Sequence, residues 1–151
     1  MLSLNRDIPW FERGLGELGV AELPGAEHNP RILEYHAVTG GWSRDEVPWC
    51  GSFTAWCMDP YYVPPERAAL ARSWIRFGEP SDERLGAVCV IKRRQSGADR
   101  RTGSRGGYHV GFFVNRSRAG LVLLSGNSQN RVGVDWYSNR RYEIKALRWP
   151  E

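Results

Sequence analysis

The sequence predicts an α+β fold in a single domain over residues 1–151, helical across 1–80 and built on a five- to six-stranded antiparallel sheet across 86–149. Three observations lead there. Apolar residues recur at helical spacing in the first half, and past Gly86 the pattern changes to period two with β-branched and aromatic residues. No internal repeat or Pro/Gly-rich linker divides the chain. At 151 residues there is enough chain for one hydrophobic core, and 41% hydrophobic with 25% charged residues argues against disorder and against a fibrous repeat. Helices preceding strands in this way imply helices packed on one face of the sheet.

The elements follow in order. Asp7 is placed to cap a first helix with Pro9 in its first turn, and Phe11, Leu15 and Leu18 share a face up to Gly19, although Gly14 and Gly16 weaken it. Asn29-Pro30 starts a second helix through Ile32, Leu33, Tyr35 and His36, with Gly40 beyond its end. A third begins after Pro48, with Cys50 at its amino end and Phe53, Trp56 and Cys57 as a buried stripe. After Pro64-Pro65, Leu70, Trp74 and Phe77 repeat that spacing up to Gly78. Strands are expected over 87–92, 108–115, 121–125, 132–137 and 142–149, and the short connection 115–120 makes the second and third a hairpin.

Charge is polarised along the chain, with four Arg against nine acids in residues 1–60 and 17 basic against eight acidic residues thereafter. Lys92, Arg93, Arg94, Arg100, Arg101 and Arg105 surround the single Asp99 in a Gly- and Ser-rich stretch, read as an exposed mobile loop. Its functional alternative is a site for an anionic partner such as a cell-wall polymer, a lipid headgroup or nucleic acid, and the lack of an aromatic residue between Lys92 and Gly107 weakens the last. No basic flank followed by an apolar core opens the sequence, and no apolar run approaches the roughly 18 residues of a membrane span. Synthesis in the cytoplasm without a signal peptide and no membrane insertion are the expectations.

The chemistry gathers at two places. Cys50 stands at a helix start, where unpaired N–H groups and the helix dipole favour a thiolate and supply an oxyanion donor, which lowers the thiol's expected pKa below its free value. Cys57 and Cys89 lie inside apolar elements and read as buried hydrophobes. His109 opens the strand His-Val-Gly-Phe-Phe-Val, with Gly111 keeping its face low so that a helix end can approach. His28 and His36 read as ordinary polar positions. Asn127 and Gln129 fall where the next strand ends, and either amide is a candidate to orient the imidazole; these residues alone leave the choice open. The sequence has no Cys-x-x-Cys pair, and the Cys50 to Cys57 spacing suits no zinc knuckle, so no metal and no cofactor are expected.

Pro48-Trp49-Cys50-Gly51-Ser52-Phe53, Ala71-Arg72-Ser73-Trp74, His109-Val110-Gly111-Phe112 and Gly126-Asn127-Ser128-Gln129-Asn130 occur in this order. The set resembles the landmarks of the NlpC-type and CHAP-like superfamily of papain-like cysteine peptidoglycan hydrolases, and the likeness extends to Gly19–Gly25, Asn29–Ile32 and Arg148-Trp149-Pro150. The resemblance implies a papain-like fold and an enzyme, a cysteine peptidase or amidase, that cuts a stem-peptide amide by acyl transfer. Carried over, Cys50 is the nucleophile, His109 the base and Asn127 the orienting residue. Trp49 and Gln129 are expected to bind substrate. Such proteins are phage endolysins or secreted antibacterial toxins, so peptidoglycan is the expected partner, with a periplasmic immunity protein if this is a toxin. The protein is expected to be a monomer acting in the periplasm or cell wall after export, injection or lysis. Gly51 stands where many members have Ser or Ala, which loosens the helix start by up to about 1 kcal/mol. The alternative is a non-catalytic wall-binding or toxin-partner domain on the same fold.

Overall fold

The computed structural model describes residues 8–23, 28–40 and 48–151. It is α+β, with helices α1 (Pro9–Leu15), α2 (Pro30–Val38) and α3 (Cys50–Met58) and a 3-10 helix (Ala71–Arg76) among the described residues. The strands are β1 (Glu79–Pro80), β2 (Val88–Arg93), β3 (Tyr108–Ser117), β4 (Gly120–Ser128), β5 (Arg131–Ser138) and β6 (Tyr142–Trp149). They form one six-stranded sheet in the order β1-β6-β2-β3-β4-β5, every pair antiparallel. The five expected strands are present, β3 and β4 as a hairpin closed at Ser117↔Gly120. The added β1, paired with Arg148 and Trp149, lies within the stretch expected to be helical.

Local chemistry explains the helices. The Asn29 side chain accepts from the Arg31 N–H at 2.9 Å, and Pro30 occupies the first position of α2 as anticipated. Asp7 lies outside the described residues, and Ile8, which precedes α1, supplies no side-chain cap. Leu18, expected on the buried face, is 50% exposed, because α1 ends at Leu15 and buries Trp10, Phe11 and Gly14 instead. Gly14 is where α1 meets its neighbours: a Cβ there would stand 3.0 Å from Leu124 and 3.3 Å from the Cys57 sulfur. The expected fourth helix is the tighter 3-10 form, with Trp74 buried and its indole N–H donated to the Ala68 carbonyl at 2.9 Å, while Leu70 stays exposed.

Strand alternation gives the sheet two covered faces. Val88, Val90, Val110, Phe112 and Leu124 pack with Trp49, Phe53 and Cys57 on the helix side. Cys89, Ile91, Phe113, Leu121, Leu123 and Tyr137 form a second, smaller core on the opposite side, which the one-face expectation did not include. The 94–107 loop reaches that second core through Asp99, which accepts from the Tyr142 hydroxyl at 2.7 Å. Rather than hanging free, the loop is tied by Arg94 N–H to the Arg141 carbonyl (2.8 Å), Asp99 N–H to Ser104 (2.8 Å) and the Gln129 N–H to Arg101 (2.7 Å).

Candidate functional site

Cys50 is the first residue of α3 and is buried. The helix start fits closely against the segment that follows α3: a Cβ on Gly51 would lie 2.3 Å from the Ala68 carbonyl oxygen, so this position demands glycine rather than merely tolerating it. Burial pushes the Cys50 thiol up to about 11, and hydrogen bonding from the backbone of Val110 and Gly51 offsets only part of that. The expected depressed thiol is therefore not found. Desolvation around a closed helix terminus outweighs its N–H groups.

His109 leaves β3 in the other direction. Val110 and Phe112 belong to the helix-side core, whereas Phe113, which shares the alternation of His109, belongs to the second core. There the imidazole Nε2 meets the Ser125 hydroxyl at 2.9 Å and the Tyr137 hydroxyl at 3.3 Å, and Tyr137 in turn meets Ser128 at 2.7 Å. Burial pulls the His109 pKa down to about 3, with Asp99 opposing. Its Nδ1 is buried without a hydrogen bond. No hydrogen bond joins Cys50 to His109 among the described residues; Cys50 lies against the backbone of Val110, one residue along, with both groups neutral at rest.

The contact expected of Asn127 is made by Ser125 and Tyr137. The β3–β4 register, with Phe112 opposite Leu124, sets Ser125 on the face of His109. Asn127 takes a positive φ of 56° and places its amide against Gly103, where a Cβ would approach its nitrogen to 2.7 Å, and Asn127 Oδ1 is buried without a partner. Gln129 is exposed, also at positive φ, and tied by its N–H to Arg101. Trp49 is not a cleft wall. It is 0% exposed, stacks on Tyr35 at 5.8 Å and donates its indole N–H to Glu22 at 2.8 Å. Gly126 leaves it room: a Cβ there would stand 2.9 Å from the indole.

Other expectations fare differently. Cys57 and Cys89 are buried thiols raised by desolvation, Cys89 to about 12. His36 is fully buried rather than an ordinary polar position, with Nδ1 2.8 Å from Ser52 Oγ, which also meets Thr39 at 2.9 Å; this network ties α2 to α3. Among the described residues no group of three or more His, Cys, Asp or Glu is placed to hold a metal ion. Sequence reasoning missed Ser125, Tyr137 and Ser128. The hairpin register carried the signal for Ser125, while Tyr137 required the β4–β5 pairing Leu121↔Tyr137, which no motif announces.

A cleft of about 890 Å³ runs between the 65–76 segment and Tyr108, the neighbour of His109, and carries Arg67, Arg72 and Arg76 with Leu70 and Ile75. Ala68 and Ala69, which crowd Gly51, belong to the same segment, but neither they nor any residue of α3 lines the cleft. No protein family, curated protein or solved structure matches this chain.

Proposed function

We propose that the protein is a papain-like cysteine hydrolase of peptidoglycan amides, an endopeptidase or N-acetylmuramoyl-L-alanine amidase acting in the periplasm or cell wall. The observation that carries the reading is the position of Cys50: first residue of a helix, and against the strand residue that follows His109. In the mechanism, the Cys50 sulfur attacks the amide carbonyl while its proton passes to His109, which returns it to the departing amine; water then releases the acyl group by the same route. If Nε2–H donates to Ser125, the lone pair remains on Nδ1, the free nitrogen. Because thiol and imidazole are neutral and lie on opposite faces of β3 at rest, the reaction depends on β3 turning at residues 109 and 110 as well as on opening around the α3 start. The same closed pair favours a second reading, a non-catalytic wall-binding or toxin-partner domain.

Digestion of purified peptidoglycan, followed by mass spectrometry of soluble fragments, separates the two. The wild type is expected to release fragments with new amino and carboxyl termini, and Cys50→Ala none. Release by the variant, or by neither protein, contradicts the hydrolase.

A further inference from the structure

A second concave site opens at the other side of the sheet, where the β2–β3 loop faces the β5–β6 turn. It encloses about 610 Å³ and is walled by Arg93, Arg100, Arg101, Arg140 and Arg141 above Tyr142. The one carboxylate in its lining, Asp99, is already used. It is buried, and it accepts from Tyr142 OH (2.7 Å), Thr102 Oγ1 (3.3 Å) and the Arg101 N–H (3.1 Å). Among the described residues, Arg100, Arg140 and Arg141 have no acidic or hydrogen-bonding side-chain partner. Arg101 is set across the Tyr137 ring with its Cζ 4.0 Å from the centroid, and its Nε is buried without a partner. Arg93 donates to the Ala98 carbonyl and to Gln95 Oε1, and Arg101 to the Trp136 carbonyl, so the cationic groups left over around the internally satisfied acid are those of Arg100, Arg140 and Arg141. Three exposed cations side by side raise the local positive potential and favour an anion there.

We propose that this pocket binds phosphate groups of a phosphodiester chain that lacks bases. A phosphate offers several strong acceptor oxygens to the planar forks of arginine, and successive phosphates answer the excess positive charge, which a lone carboxylate would leave largely unmatched. The choice against nucleic acid rests on the lining. Its single aromatic ring, Tyr142, is 3% exposed and its hydroxyl is committed to Asp99, so no platform stacks a base. The site is distinct from the Cys50 cleft and does not depend on the hydrolase reading.

Calorimetric titration of the full chain with pyrophosphate, with a short glycerol phosphate oligomer and with single-stranded DNA of equal charge tests it. Pyrophosphate and the oligomer are expected to bind, the oligomer more tightly, with affinity falling about tenfold or more between roughly 50 and 200 mM salt. Arg140→Ala with Arg141→Ala should weaken both ligands by about tenfold, and the Lys pair at those positions should recover most of the loss, with all three proteins melting alike. Absence of binding, equal binding by the Ala pair, or tighter binding of DNA than of the glycerol phosphate oligomer would overturn the proposal.

Discussion

The two sides of β3 at residues 109 and 110 are built from opposite materials. On the helix side, Cys50 is surrounded by apolar side chains and backbone, which keep its proton in place. On the other side, His109 meets the hydroxyls of Ser125 and Tyr137 directly, and Ser128 holds Tyr137. One environment disfavours charge by excluding water. The other is a polar network that fixes a neutral ring's orientation. A group packed against one strand residue therefore need not meet the side chain of the next, because strand alternation sends neighbours to opposite layers.

Breaking the helix side is expected to give the largest effect on stability. Gly51→Ala forces a methyl group against the Ala68 carbonyl and should cost about 2–3 kcal/mol, lowering the melting temperature by roughly 8 °C. Cys50→Ala, one residue earlier, removes a single buried sulfur and should cost about 1 kcal/mol; calorimetry of both variants checks the contrast. Next in size is Tyr137→Phe, which leaves Ser128 without its 2.7 Å partner and His109 with one contact fewer, and should cost about 1–2 kcal/mol by denaturant titration.

How far these differences could be read from the sequence depends on the kind of signal. Caps, helix stripes and period-two strands are local, and Asn29-Pro30 and a hairpin connection within 115–120 were legible for that reason. The motif placed Cys50 at a helix start, also a local property. What escaped was long-range: the burial of Trp49 beneath Gly126, and the Tyr137 hydroxyl near His109, which depend on packing between elements far apart in the chain. Asn127 misled because it had the right chemistry at the strand end, while its positive φ turns the amide away.

The pH dependence sharpens the comparison on the histidine side. Burial holds the His109 pKa near 3 in the fold against about 6.5 when unfolded, so only the unfolded chain takes up this proton as pH falls from 6.5 toward 3. Stability should therefore be unaffected by this group above pH 6.5 and decline below it, by up to about 1.4 kcal/mol per pH unit. His109→Gln should flatten the decline between pH 6.5 and 5, as read by denaturant titration at each pH. The smallest effect is expected for Asn127→Gly, which relieves the positive φ and touches no imidazole contact. Its stability should stay within about 1 kcal/mol of wild type, and the His109 ring signals in NMR should not move.

The central claim is that Cys50 and His109 stand back to back across one strand and are neutral at rest. Site-resolved alkylation of the three cysteines by iodoacetamide, followed by mass spectrometry from pH 6 to 10, tests it most directly. With the Cys50 pKa near 11, its rate at pH 7 should be as low as those of Cys57 and Cys89 and should still be climbing with pH at the top of the range. A Cys50 rate that is fast at pH 7 and has levelled off before about pH 8.5 would reveal a thiolate already paired with the imidazole, and would contradict the account.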